Sequence, residues 1–269
     1  MTFTKKLFLL FLAFFNLAEA AQEEKPIVVL IPSYNNQVYA QRNLVSVFAQ
    51  RYSNYRIIYI DDNSTDRTGA IVEKLLKRFQ KEKNFAYIRN EQRIGALANI
   101  YHAVHSCKDE EIIVVLDGDD WFSRDCVLQK INETYASPDV WLTHGTLKEF
   151  PNESTAWSIP IPEEIIASRQ FRTYRCPSHL RTFYAWLFKQ IRLDDLFYQG
   201  NFFPMTWDQA VMFPMIEMAG ERHRFISDVL YIYNVENSIN DNKVNPQLQR
   251  DLEAYIRSMP PYPRLDHSP

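Results

Sequence analysis

Ile27-Val28-Val29-Leu30-Ile31-Pro32-Ser33-Tyr34-Asn35-Asn36 is the stretch on which the fold turns. Five consecutive apolar residues stop abruptly at a cluster of turn formers, which is how a parallel strand buried on both faces reads. Leu44, Val45 and Phe48 follow at helical spacing, and Tyr55 to Ile60 form a second strand closing on Asp61-Asp62-Asn63-Ser64. Ser64, Thr65 and Asp66 are capping residues for a helix whose apolar face is Ile71, Leu75, Leu76 and Phe79. A third strand is expected over Phe85 to Arg89, a helix through Leu97, Ile100, Tyr101 and Val104, and a fourth strand over Ile112 to Leu116. Strands alternating with helices predict an α/β domain with a mostly parallel sheet flanked by helices.

Ligands of such sheets bind beyond the carboxyl ends of the strands. Here three strands end in polar clusters, Ser33-Tyr34-Asn35, Asp61 to Ser64 and Asp117-Gly118-Asp119-Asp120, so these ends are expected to converge on one site. Asp117 and Asp119, two apart past an apolar strand, can present hard oxygens to Mg²⁺ or Mn²⁺; a solvated acidic turn is the other reading of three such residues alone. Beyond Val140 the pattern weakens. Helical segments are expected near Leu180 to Ile191 and Asp208 to Ala219, and a mobile polar loop from Asn234 to Pro246.

Hydrophobic residues make up 46% of the 269, enough for a sizeable core. A net charge of −3 from 30 basic and 33 acidic residues leaves no electrostatic footprint for nucleic acid, so any nucleotide is a small ligand. Cys107, Cys126 and Cys176 are an odd number without a CxxC pair, which reads as free thiols. At the N-terminus, Lys5 and Lys6 precede the apolar run Leu7 to Leu17 and then Ala18-Glu19-Ala20. Residues 1–20 therefore read as a signal peptide or short membrane anchor.

Taken in order, Val28 to Asn35, Ile60 to Thr68, Asn90 with Gly95, and Leu116 to Asp120 resemble family 2 glycosyltransferases over about the first half of the mature chain. His179-Leu180-Arg181-Thr182-Phe183 and Thr206-Trp207-Asp208-Gln209 resemble the family's acceptor-side segments. The resemblance implies a single GT-A, Rossmann-like domain. Residues 26–139 would form its nucleotide-sugar half, 140–250 the acceptor-binding and catalytic half, and 251–269 a C-terminal tail. It implies a metal-dependent, inverting transfer of sugar from a nucleotide-diphosphate donor, UDP-sugar favoured, to a hydroxyl on a glycan, lipid or protein.

Donor contacts fall, by that resemblance, on Pro32, Tyr34, Asp62, Asn90, Gly95, Asp117, His179 and Arg181. Tyr34 offers a flat face to a base and Asp62 a carboxylate to base or ribose. Asp61 would point the other way in an extended strand and be structural. The divalent cation, Mn²⁺ or Mg²⁺, falls to Asp117 and Asp119, with Asn240, Asp241 or water for a family histidine that has no counterpart here. Asp208 would be the general base that takes the acceptor proton, and a helix N-cap is its other reading. Trp207 departs from the acidic residue usual before that aspartate, and Ala98 from a basic one. His102 and His105 read as structural.

A sugar nucleotidyltransferase would share sheet and carboxylates but open with a glycine-rich loop, which Pro32 to Asn36 is not. A catalytically inactive carbohydrate-binding protein of the same fold is the other alternative. No G-x-G-x-x-G follows the first strand, against dinucleotide chemistry. The leader points to the secretory pathway or another extracytoplasmic space, and Asn63-Ser64-Thr65, a formal glycosylation sequon in the donor loop, to a membrane-associated cytosolic domain instead.

Overall fold

The computed structural model describes residues 23–155 and 159–268, and the leader read over residues 1–20 lies outside them. The first half alternates as expected: β1 (Ile27–Ser33), α1 (Ala40–Phe48), β2 (Tyr55–Asp61), α2 (Thr68–Phe79), β3 (Phe85–Arg89), α3 (Ala96–His105) and β4 (Ile112–Val115). The second half is more broken. It runs through β5 (Trp121–Phe122), α4 (Val127–Thr134), β6 (Leu142–Phe150), α5 (Glu163–Ser168), β7 (Thr182–Tyr184) and α6 (Ala185–Lys189). A hairpin of β8 (Phe197–Tyr198) and β9 (Asn201–Phe202) precedes α7 (Trp207–Ala219), β10 (His223–Asn234), α8 (Asp241–Val244) and α9 (Pro246–Ser258).

One sheet takes eight strands in the order β3-β2-β1-β4-β7-β6-β10-β5. Its first four strands are parallel, and so are β6 and β10; β7 is antiparallel to both β4 and β6 and joins the two groups. All seven residues of β1 are buried, and successive side chains serve opposite layers. Val28 and Leu30 pack with Ile100, Phe183 and Phe213, while Val29 and Ile31 pack with Leu44, Val72 and Leu128. Burying each such side chain stabilises the fold by roughly 1.5–3 kcal/mol, so β1 is the spine of both cores.

Three local expectations are corrected. Leu180 to Ile191 is not one helix, because Thr182–Tyr184 pairs with β4 and β6 and the helix occupies only Ala185–Lys189; a short apolar run carries too little period to separate strand from helix. The helix after β2 starts at Thr68 with Arg67 in the N-cap position and no side-chain cap; Asp66, one residue earlier, accepts from the Thr68 amide at 2.9 Å, while the Ser64 hydroxyl and the Thr65 amide bond Asn35. The polar stretch after Asn234 is not a loop throughout, because Asp241–Val244 is helical and α9 starts at Pro246, and Lys243 Nζ donates to the carbonyls of Val235 and Asn237. The three cysteines are free. Among the described residues no helix is long and apolar enough to cross a membrane.

Candidate active site

Parallel pairing sets Ser33 beside Asp61, so β1 and β2 release their loops at the same level. Asp61 is buried and structural, accepting from the Ser64 amide at 2.8 Å and the Tyr87 hydroxyl at 3.2 Å. Asp62 turns the other way. One of its oxygens accepts from Asn90 Nδ2 and the Ile94 amide, at 2.8 and 2.9 Å, and the other from the Gly95 amide at 2.9 Å. Burial works to raise the Asp62 carboxyl, but the Ile94 amide, the Asn99 and Asn90 side chains and the Gly95 amide outweigh it and hold it below its ordinary value. Gly95 accepts this place because its φ is +91°, in the region that favours glycine.

A small cavity of about 140 Å³ opens above these strand ends, lined by Pro32, Tyr34, Asp62, Asp117 and Asp119. Asn90 and Gly95 do not line it; they stand behind Asp62 and hold it. Arg93 and Asn99 line it as well, two residues the sequence reading did not single out. The Arg93 guanidinium lies 4.0 Å from the Tyr34 ring centre, so the flat face expected to take a base carries a cation in this structure.

The Asp117-Gly118-Asp119-Asp120 loop is held from several sides. Asn43 on α1 donates to the carbonyls of Asp117 and Asp120, at 2.9 and 2.8 Å. A Cβ on Gly118 would lie 2.5 Å from Ser33 Oγ and 2.7 Å from Asn36 Nδ2, so only glycine lets the loop approach β1. Asp120 is fully enclosed, accepting from the Tyr231 hydroxyl at 2.5 Å and the Asn234 amide at 2.7 Å, which makes it a structural anchor between this loop and β10. Asp117 and Asp119 face the cavities. Burial, and then the charge of Asp119, push the Asp117 carboxyl up to about 7, and burial raises Asp119 against the donated bond from Asn237.

A larger cavity of about 460 Å³ continues past this pair, and Asp117, Asp119, His179, Arg181 and Asp208 all line it. Asp208 lies in the first turn of α7, whose N-cap position is Thr206, so it is not the cap. Its Oδ2 instead accepts from Arg181 Nη2 at 2.8 Å. Burial opposes charge on Arg181, but Asp208, Cys176 and Asp117 together hold the guanidinium protonated. His179 stacks on Tyr231 at 4.3 Å between ring centres; burial and Arg181 keep its imidazole neutral. Asn237 was not foreseen. Its amide donates to Asp119 Oδ2 at 2.7 Å from within the stretch expected to be mobile, a contact 118 residues long that no local pattern encodes. Asn240 lines the same cavity, and the Asp241 side chain lies outside the described residues. His102 and His105 are exposed on α3, packed on Tyr101 and away from both cavities.

A mostly parallel α/β sheet with a paired aspartate loop at its strand ends, extended by a second group of strands across a cleft, is the GT-A architecture. The sequence model of Glycosyl transferase family 2 matches residues 28–197, and the chain belongs to that family. A relative from Campylobacter jejuni, the GalNAc(5)-diNAcBac-PP-undecaprenol beta-1,3-glucosyltransferase, is 29% identical over 110 residues, 40% of this chain and 35% of its own length. The chain spans under half the length of the first curated relatives it matches. Among solved structures, S. aureus TarS aligns over 86% of this chain and 39% of its own at 17% identity and a TM-score of 0.64. The Pyrobaculum calidifontis mannosyltransferase PcManGT, in complex with GDP-Man and Mn²⁺, aligns over 89% of this chain and 66% of its own at 16% identity and a TM-score of 0.61.

Proposed function

We propose that the protein is a metal-dependent, inverting glycosyltransferase that moves a sugar from a nucleotide-diphosphate donor to an acceptor hydroxyl. The observation that carries this reading is one cavity lined both by the Asp117 and Asp119 pair and by Asp208. Two half-buried carboxylates two residues apart, with no ion pair to either among the described residues, form a hard-oxygen set that fits Mn²⁺ or Mg²⁺. When bound, such an ion neutralises charge on a leaving diphosphate. Pro32, Tyr34 and Asp62 take the nucleotide, with Asn90 and Gly95 fixing Asp62. UDP is favoured: TarS has been crystallised with UDP and with UDP-GlcNAc, although the mannosyltransferase holds GDP-Man.

In the transfer, the acceptor oxygen attacks the anomeric carbon from the face opposite the diphosphate. The carbon–oxygen bond to phosphate breaks, its electron pair stays on the diphosphate, and the acceptor proton passes to Asp208. Arg181 aims the Asp208 carboxylate, and neutral His179 braces Arg181 through a 2.9 Å contact to Nε2. On this reading residues 26–139 bind donor, residues 140–250 bind acceptor and carry the base, and residues 251–269 follow as a tail. The leader supports a secretory or extracytoplasmic placement, or membrane association of a cytosolic domain. Incubation with a panel of UDP-, GDP- and dTDP-sugars, with Mg²⁺ or Mn²⁺ and then with chelator, tests the function. Nucleotide release that depends on the ion, and a product of inverted anomeric configuration by NMR, are expected; release indifferent to chelation or retention of configuration would refute it.

A further inference from the structure

We infer that the acceptor is a neutral saccharide, recognised as a sugar ring in the larger cavity, and not a lipid phosphate. This rests on the transferase reading above and narrows its acceptor. The lining decides it. Asp117, Asp119, Glu149 and Asp208 contribute four carboxylates, and Arg181 is the one cationic side chain among the described residues of the lining. Arg181 is already committed to Asp208 at 2.8 Å. A divalent cation on the aspartate pair leaves this lining net negative before a donor diphosphate adds its own charge. An acceptor that brings a phosphate would meet a net negative lining and no uncommitted planar donor fork to receive it.

The remaining lining suits a polyol. Asn36, Asn237, Asn240 and Gln249 place four carboxamides around the cavity, and a carboxamide both donates to and accepts from a hydroxyl. Gln249, half-exposed on α9, spends no side-chain hydrogen bond within the described chain. Trp207 and Tyr233, both half-buried, supply aromatic surface for the C–H face of a pyranose ring. Trp207 and Asp208 line the same cavity, so a ring seated beside Trp207 occupies the space that the proposed base faces.

The test is calorimetric titration of the full chain, saturated with Mg²⁺ and UDP. The probes are neutral disaccharides of glucose, galactose, N-acetylglucosamine and mannose, with citronellyl phosphate as the lipid-phosphate probe. At least one disaccharide should bind about tenfold or more tightly than citronellyl phosphate, a gap set by like-charge repulsion. Trp207→Ala should weaken that binding by about tenfold. Gln249→Ala, a change outside the core, should weaken it by about threefold. Citronellyl phosphate binding as tightly as every disaccharide, no disaccharide binding at all, or saccharide binding indifferent to both substitutions would each overturn the inference. Ion-dependent UDP release from UDP-sugars is measured beside it. If release persists while citronellyl phosphate wins, only the acceptor is misassigned; if neither release nor UDP binding occurs, the transferase reading itself falls.

Discussion

On the donor side of the cleft, Asp61 and Asp62 are held by donors 3 to 33 residues away, on β3 or in the strand-end loops of one parallel sheet. On the acceptor side, Arg181 reaches Asp208 across 27 residues, and Asn237 and Tyr231 reach Asp119 and Asp120 across 118 and 111. The donor wall is therefore assembled as the sheet forms, whereas the acceptor wall exists only once the chain has returned through β10. Substitutions should divide along the same line, with the acceptor wall governing chemistry and the donor wall governing nucleotide affinity.

The largest effect belongs to Asp208. Asp208→Asn keeps shape and removes basicity, so transfer should slow by roughly 10²- to 10⁴-fold while UDP affinity stays near normal. Loss of UDP binding in that variant would join the two walls into one unit. Asp119→Asn, at the border between them, should lower ion-dependent transfer by about 10²- to 10³-fold, the scale of removing an electrostatic stabiliser. Unchanged turnover with Mg²⁺ or Mn²⁺ would remove Asp119 from the metal site.

A pH series sharpens the same border. Asp117 sits near 7 against an ordinary 3.8, first because it is buried and then because Asp119 is charged. A carboxyl whose value is raised on folding favours the fold while protonated, so its stabilisation is full below 3.8 and is lost as pH climbs to about 7. Since a protonated carboxyl does not ligate, Mg²⁺ should bind more tightly as pH rises, by about fivefold between pH 6 and 7 and about tenfold between pH 6 and 8, and then level off. Mg²⁺ titrations and thermal shifts at pH 6, 7 and 8 measure both. Affinity independent of pH would mean that Asp117 is not a ligand. The smallest effect is expected at Tyr34: Tyr34→Ala should weaken UDP by roughly 0.5–1.5 kcal/mol, read by titration with UDP alone. A larger loss would show that the ring also supports Asp62 or Arg93.

What the sequence made legible follows the same division. β1 and β4 announce themselves because strands buried on both faces are apolar, and β2 by its buried run Ile57 to Ile60, and the ends of the three carry Tyr34, Asp62, Asp117 and Asp119 into the cavities by parallel register. Asp208 was readable from the resemblance of Thr206 to Gln209 to the family's segment together with its place at the head of an apolar helix. Asn237, Arg93 and the antiparallel β7 were not, for different reasons. Asn237 is a polar residue among polar residues, significant only through a partner far back in the chain. Arg93 looks like any surface cation until it is seen on the Tyr34 ring. β7 is three residues long, too short to carry a period, and its direction is set by the two strands it joins.

That short strand has a practical consequence for anyone dividing the chain. β7 comes from residues 182–184 yet lies between β4 and β6, and its Thr182 hydroxyl meets those of Tyr135 and Thr143 at 2.9 and 2.6 Å. Cut near residue 139, the N-terminal fragment would carry β4 as a bare edge of four apolar residues, and the C-terminal fragment would carry β7 without its neighbour β4. Unpaired edges of that kind seek other chains. The first 139 residues hold four of the six motif segments, but they are not a portable nucleotide-binding module, and co-expressed halves should be recovered only where they meet before aggregating.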